Sequence, residues 1–300
     1  MSDRTPFAHL AATPANHFRL YFYAAVAHVM AAAARVGSEP ITGCLRALAG
    51  YDEELRACGV PEAQGAGWSD AIAEWERTAD EFLPARALRE ALGVELDDMV
   101  LVFTAGLIEE DARFGALFER LNEAHGQGGQ PRATIAVLAD CRREGHGADV
   151  RAPLRLLADS GLVRIANADA PRVQQGIEVP AAIWDVLRGE RHERPLPWLR
   201  YLPPSALPGP NDTILSAPLG AALSAVPRLI ASGAARTIVV RGPLHNGRRT
   251  LLGAIARASG RGVLEMAAAD RLDDERWRLV VLLATAMQAM PVLACEPGPG

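Results

Sequence analysis

The stretch TIVVRGPLHNGRRT, residues 237–250, decides the fold of the second half of the chain. It begins with a short apolar run, Thr237 to Val240, of the kind that parallel sheets bury. A glycine-containing loop follows, and an apolar helix is predicted over residues 250–259. Strand, loop and helix in this order form the setting of a phosphate-binding loop, because the backbone N–H groups at a helix start bind anions.

The loop matches the phosphate-binding pattern GxxxxGK[ST] only in part. Gly242 and Gly247 stand at the glycine positions, but Arg248 replaces the lysine and Arg249 replaces the hydroxyl that holds Mg²⁺. Thr250 carries a hydroxyl one residue further on, about 100° around the helix. The pattern predicts weak, Mg²⁺-independent binding of ATP or ADP, and a plain strand-to-helix turn is the alternative. The predicted cofactor-binding residues are Gly242, Asn246, Gly247, Arg248, Arg249 and Thr250.

Two further strands are predicted after the loop. Residues 263–266 and 292–295 read as strands and residues 274–290 as the helix between them, which completes a βαβαβ order. Glu296 follows the last strand, at the place where a catalytic nucleoside triphosphatase carries a pair of acidic residues. Glu296 is therefore the candidate catalytic residue. Cys295 stands where the metal-supporting aspartate would be. A surface glutamate before a turn is the alternative interpretation of Glu296, and no metal site is predicted.

Upstream of this part, the sequence divides into three regions. Residues 1–125 predict a helical region, with helices over 15–36, 45–57, 69–82, 85–92, 95–107 and 111–125. Residues 126–190 have the order helix, helix, strand, turn, strand, helix that is typical of a winged-helix module. Residues 191–214 hold six prolines, which cannot all lie in helices or central strands, and are therefore predicted to be a linker.

Composition narrows the function classes. The 300 residues are 49% hydrophobic and 22% charged, with a net charge of −5, which is typical of a globular protein without a basic field for nucleic acid or anionic lipid. All 31 basic residues are arginine, so chemistry that needs a lysine is excluded. Four scattered cysteines and the absence of a signal-peptide or membrane-spanning pattern predict a cytoplasmic protein.

The quoted loop and the segments before it resemble the N-terminal part of the AAA+ ATPases that accompany extracellular, phage-tail-like contractile injection systems. The resemblance rests on LREALGVELDDMVLVFTAGLIEEDARFGALFERLNE (residues 88–123), on LLADSGLVRI (156–165) and on VVRGPLHNGRRTLL (239–252). It covers most of residues 15–300. It implies a mainly α protein with an α/β part, in which residues 215–300 form an incomplete P-loop, AAA+-like sandwich with parallel strands.

The resemblance also implies a function. The chain would be the N-terminal portion of an ATPase that assembles or remodels an injection system, with a degenerate nucleotide site. The alternative is a non-catalytic adaptor that uses the winged helix and the degenerate module as docking surfaces. Expected partners are injection-system components, other AAA+ subunits or further copies of the chain. No DNA partner is expected, because acidic residues outnumber arginines by 18 to 14 over residues 84–195.

Overall fold

The computed structural model describes residue 7 and residues 9–58, 67–142, 149–209, 212, 217–242, 247–266 and 273–294. Over these residues the chain is mainly helical and has two small sheets, which confirms the predicted fold class at this level. It divides into two compact units, unit 1 (Met1–Gly189) and unit 2 (Glu190–Gly300). None of the helices described is both long and apolar enough to cross a membrane.

The first part of unit 1 contains seven helices among the described residues. Helices predicted over 15–36, 85–92, 95–107 and 111–125 are confirmed to within a few residues, whereas the segment 45–57 overlaps two helices. The helix predicted over 69–82 begins one residue earlier, at Trp68, and ends four residues earlier, at Thr78. The helices are α1 (Pro14–Val36), α2 (Glu39–Ala47), α3 (Gly50–Ala57), α4 (Trp68–Thr78), α5 (Pro84–Leu92), α6 (Leu96–Glu110) and α7 (Ala112–Ala124).

Helices α1 and α6 form the centre of unit 1. Both helices contain long, nearly continuous runs of apolar residues, and both are therefore buried around most of their circumference. Thr13 caps the start of α1 by accepting a hydrogen bond from the N–H of Asn16 at 3.3 Å. Gly37, with a φ of 63°, ends the helix in the left-handed conformation that favours glycine. Local capping and burial thus fix both the ends and the position of this helix.

The second part of unit 1 has the predicted element order. A two-stranded antiparallel sheet pairs Arg164 with Glu178 and Ile165 with Ile177, and an isolated bridge joins Thr134 to Gly176. Gly161, with a φ of 84°, ends the helix that precedes the first strand. The elements are α8 (Ile135–Arg142), α9 (Arg151–Ser160), β1 (Arg164–Ile165), β2 (Ile177–Glu178) and α10 (Ala181–Leu187).

Unit 2 is built on a three-stranded sheet in the order β3-β4-β5. Strands β4 and β5 are parallel and are joined through α13, as the sequence predicts, whereas β3 pairs with β4 in the antiparallel direction. Leu207, Ala256, Val263 and Val292 form the buried core beside this sheet. The elements are β3 (Leu199–Leu202), α11 (Ala217–Ala231), α12 (Arg248–Ala258), β4 (Gly262–Met266), α13 (Asp274–Ala286) and β5 (Ala289–Leu293).

Two predictions about unit 2 are wrong. The run Thr237 to Val240 is not a buried strand: it pairs with no described strand, and Val239 is 70% exposed. The segment 191–214 is not only a linker, since it supplies β3. Burial of a strand depends on the partners that the rest of the chain provides, and here β4 pairs on one side with Leu199–Leu202 and on the other with β5.

Candidate functional site

The candidate site lies at the start of α12, in unit 2. Gly247 is the N-cap of this helix, and its φ of 78° lies in the left-handed region that glycine adopts without strain. Its carbonyl oxygen accepts a hydrogen bond from the N–H of Leu251 at 2.9 Å. Arg248, Arg249 and Thr250 therefore form the first turn of α12, where backbone N–H groups have no partner within the helix.

Arg249 is bound to a carboxylate of the sheet. Its Nε atom lies 3.0 Å from Oε1 of Glu265 on β4, and the Glu265 side chain is only 18% exposed whereas that of Arg249 is 73% exposed. The ion pair offsets one of the two arginine charges at the helix start. It also puts a negative charge next to the guanidinium of Arg249, and this charge repels a phosphate group that approaches that side chain.

The sequence does not single out Glu265, although it is the only charged residue of β4. A single acidic residue in a short strand otherwise made of apolar residues and glycine was the available signal. What the sequence could not give is its distance from Arg249, which depends on how α12 packs on the sheet. The arginine at position 249 thus predicts the loss of a metal ligand. The structure further shows that this arginine binds Glu265.

Four of the predicted site residues lie together at the start of α12. Gly247 is the N-cap, and Arg248, Arg249 and Thr250 form the first turn. Gly242 is exposed and precedes them by five residues. Arg248 is partly exposed, and within the described ranges it makes no ion pair. The predicted residues Asn246 and Glu296 lie outside the described residues, as does Cys295. The candidate site is therefore a helix start with one arginine available to an anion and one bound to glutamate.

Contacts in the second half of α12 fix its position on the sheet. The Nη1 atom of Arg257 donates a hydrogen bond to the carbonyl oxygen of Leu207 at 2.6 Å. Gly253 lies so close to the proline that follows Leu207 that a Cβ there would be 3.2 Å from the Cδ of Pro208. Ala256 is fully buried in the core of unit 2. These contacts hold the first turn of the helix at a fixed distance from β4.

The chemistry open to this site is limited. A phosphate-binding loop normally follows a strand of the central sheet, and the segment Thr237 to Val240 has no strand partner among the described residues. Phosphoryl transfer depends on positioning and on charge supplied by a lysine and a held Mg²⁺. The site offers backbone N–H groups and Arg248 for anion binding, and no side chain in its first turn replaces the metal ligand that Arg249 removes.

Known proteins give no further guide to the site. Comparison with models of protein families, with characterised proteins and with solved structures gives no match. The function must therefore be inferred from the residues of the chain and their geometry.

The second candidate surface is on α9 and the β1–β2 hairpin of unit 1. Arg155 and Asp159, one turn apart on the exposed side of α9, form an ion pair of 3.6 Å. Leu156, Ile165 and Val173 are large apolar residues that are exposed on these elements. The surface thus combines apolar side chains with an arginine whose charge is offset by a neighbouring aspartate.

A buried polar cluster in unit 1 joins α1, α4 and α5. Oε1 of Glu76 accepts hydrogen bonds from Nε2 of His17 at 2.8 Å and from the hydroxyl of Tyr21 at 3.0 Å. Oε2 of Glu76 binds Nη2 of Arg89 at 2.5 Å. Trp75 stacks on His17 with 5.6 Å between the ring centroids. Because His17, Tyr21 and Glu76 are nearly inaccessible to solvent, we interpret this cluster as structural.

Burial and charge set the protonation states of the cluster. Burial lowers the pKa of His17, and the opposing effect of Glu76 does not restore it. Burial alone would raise the pKa of Glu76, but hydrogen bonds from His17 and Tyr21 and the charge of Arg89 outweigh it and hold that pKa below its ordinary value. The folded state therefore favours neutral His17 beside ionised Glu76.

Acid is expected to destabilise unit 1 in two steps. Below about pH 6.5 the unfolded chain protonates His17 more readily than the folded chain, so the free energy of unfolding falls. Below about pH 4.5 the same argument applies to Glu76, whose folded pKa is also depressed. Urea denaturation across this range, followed by circular dichroism, measures the effect.

His17→Gln, whose amide nitrogen can still donate to Glu76, should remove the first step, and the exposed His9→Gln should leave it unchanged. A free energy of unfolding that rises as the pH falls through these values would contradict the assignment.

Proposed function

We propose that this chain is a non-catalytic docking protein that binds protein partners through a winged-helix-type module in unit 1 and a degenerate P-loop-type module in unit 2. The observation that carries the proposal is the ion pair between Arg249 and Glu265. Arg249 stands at the sequence position where a nucleoside triphosphatase carries its Mg²⁺ ligand, and the ion pair binds this arginine to a carboxylate. A module in this state is suited to binding other proteins through its surface rather than to phosphoryl transfer.

The winged-helix interpretation of residues 126–190 is supported by the element order α8, α9, β1, β2, α10. It is also supported by the bridge between Thr134 and Gly176, which adds a third short strand position to the β1–β2 hairpin. In such modules α9 would be the helix that enters the major groove of DNA. Its exposed Arg155 is paired with Asp159, and Leu156 beside it is apolar. Arginines that neutralise phosphates dominate DNA affinity, so these residues favour a protein partner.

A second candidate function is the ATPase role that the AAA+ resemblance implies, in the assembly or remodelling of a contractile injection system. Two observations favour it. Gly247 caps α12 in the conformation expected of the last loop glycine, and β4, α13 and β5 form a parallel βαβ unit. In this case the chain would act with intact ATPase subunits or further copies of itself, since its own loop lacks the lysine and the metal ligand.

Calorimetric titration with ATP tests the proposed state of the loop at the start of α12. We expect weak binding whose affinity does not change when Mg²⁺ is removed by a chelator, because the chain offers N–H groups and Arg248 but no metal ligand. Glu265→Gln removes the carboxylate beside the first turn and should strengthen ATP binding roughly fivefold, which corresponds to about 1 kcal/mol for one charge near the surface.

The matched control is Glu178→Gln, which removes a strand carboxylate that is paired with Arg132 in unit 1. It should leave ATP affinity unchanged. Tight binding that requires Mg²⁺, or a Glu265→Gln variant with unchanged affinity, would contradict the proposed state of the loop.

A further inference from the structure

Unit 2 contains an open groove that the nucleotide-type loop does not use. Its volume is about 410 Å³, and it lies between the segment that includes Thr237 and Ile238 and the strand β5. Trp277, on α13, and Leu293, at the end of β5, are among its apolar lining residues, and both are partly exposed. A groove with an accessible tryptophan is the kind of surface at which a few side chains dominate binding energy.

Among the described residues, none pairs with the backbone of β5 on the side away from β4. The carbonyl oxygen of Gln288 accepts a hydrogen bond from the N–H of Gly262 at 3.1 Å, so Gln288 and alternate residues after it direct their backbone groups to β4. Ala289, Pro291 and Leu293 direct theirs to the opposite side, where no described strand lies. Pro291 has no N–H to leave unpaired there, as is usual for proline in an edge strand.

The other wall of the groove includes Thr237 and Ile238, the first two residues of the run Thr237 to Val240. This run is made of β-branched residues, which favour extended pairing, yet it has no strand partner among the described residues. Ile238 lines the groove. Both walls thus present apolar side chains, and the edge of β5 has backbone groups that no described strand pairs with. An extended chain suits this groove better than a compact ligand, because only a strand can satisfy the hydrogen-bonding groups of a strand edge.

The charges of the groove restrict its occupant further. Its lining includes Arg236 and Arg261 and contains no acidic residue among those described. Neither arginine makes an ion pair within the described part of the chain, and both are exposed. An occupant with acidic residues at its ends would therefore be favoured, since opposite charges across an interface steer and orient binding. The segment 237–240 of a second copy fits poorly because it is flanked by Arg236 and Arg241.

We propose that this groove binds an extended, mainly apolar segment of another protein, flanked by acidic residues, which adds to β5 as a strand. The inference rests on the proposed docking role and specifies the chemistry of one partner. The carbonyl oxygens of Ala289, Pro291 and Leu293 and the N–H groups of Ala289 and Leu293 supply the strand pairing. Trp277 and Ile238 supply apolar contacts, and Arg236 and Arg261 recognise the acidic flanks.

Selection of short random peptides displayed on phage, with the full chain as the target, tests the proposal. We expect enriched peptides in which apolar residues alternate and Asp or Glu stands at the flanks. Leu293→Glu should weaken the binding of a synthetic enriched peptide at least roughly tenfold, because it puts a charge at the apolar groove. The control Val36→Glu, at an exposed valine of unit 1 that belongs to neither candidate surface, should leave binding unchanged.

Two further measurements distinguish strand addition from nonspecific binding of apolar peptides. Methylation of every second backbone nitrogen of the peptide should abolish binding when the methylated nitrogens are the ones that donate to β5, because it removes these donors. Methylation of the other set should not abolish it. In the Arg236→Glu/Arg261→Glu variant, selection should enrich basic flanks instead of acidic ones. Failure to enrich peptides, binding insensitive to Leu293→Glu or to methylation, or an unchanged flank preference would each overturn the proposal. Mg²⁺-dependent ATP hydrolysis would instead contradict the proposed function and leave the groove untouched.

Discussion

Replacing Glu76 by glutamine is expected to lower the free energy of unfolding of unit 1 by about 3 kcal/mol, because it breaks a buried ion pair and leaves its cation behind. Glu76 is 3% exposed and accepts hydrogen bonds from His17, Tyr21 and Arg89. Glutamine has nearly the same size, so little packing is lost. Arg89 would retain its charge without a carboxylate, and its Nε atom already lacks a hydrogen-bond partner.

Urea denaturation of the full chain, monitored by circular dichroism, measures this loss. The matched control is Glu74→Gln, on the same helix, because Glu74 pairs with Arg77 at the surface and such exposed pairs contribute about 0–1 kcal/mol. Equal losses for the two variants would show that the buried cluster contributes no more to stability than a surface ion pair.

Gly106→Ala is expected to destabilise unit 1 by about 2–3 kcal/mol even though alanine is the better helix former. A Cβ at Gly106, in the middle of α6, would lie 2.2 Å from Cζ3 of Trp184. The indole cannot move away freely, because its Nε1 donates a hydrogen bond to Glu110 at 2.7 Å and its ring packs on Phe18 and Phe103. The overlap therefore forces a shift of a buried aromatic ring.

Thermal unfolding of a double-mutant cycle tests the origin of this effect. Trp184→Leu alone should destabilise by about 3 kcal/mol, and the double variant should lose clearly less than the sum of the two single losses, because leucine leaves room for the new Cβ. Gly43→Ala is the control, since a Cβ at this helical position meets nothing within 4 Å, and it should stabilise slightly. Additive losses in the cycle would contradict the assigned contact.

The helices of unit 1 could be predicted because their signals are local. The spacing of apolar residues predicts a helix over 15–36, and α1 spans Pro14–Val36. The predicted helix 111–125 begins at Asp111, which caps α7 by accepting a hydrogen bond from the N–H of Arg113 at 2.9 Å. Capping and periodicity depend on residues within a few positions of one another, so a single sequence contains them.

The sheet of unit 2 could be predicted only in part, because strand pairing is set by distant residues. The parallel pair β4 and β5 followed from the alternation of strand and helix signals. Strand β3 is not predicted from the sequence because prolines lie on both sides of its four residues. The sequence instead predicts a buried strand at Thr237 to Val240, where the structure has none. Both runs have the composition of a strand, and only the tertiary fold decides which one pairs with β4.

The candidate site was located by spacing alone, since Gly247 and the two arginines after it fall at the start of α12 as the motif requires. The identity of Arg249 also predicted the loss of the metal ligand. The carboxylate of Glu265 could not be placed beside Arg249 from the sequence, because the two residues are sixteen positions apart and lie on different elements, α12 and β4. This contact changes the expected electrostatics of the site from two free cations to one.

The most direct test of the proposed non-catalytic role is an assay of ATP hydrolysis by the purified chain in the presence and absence of Mg²⁺. We expect no turnover above the uncatalysed rate in either condition, because Arg248 and Arg249 replace the lysine and the metal ligand, and because Glu265 opposes phosphate binding at the helix start. Robust turnover that requires Mg²⁺ and is abolished by Arg248→Ala would contradict the proposed role.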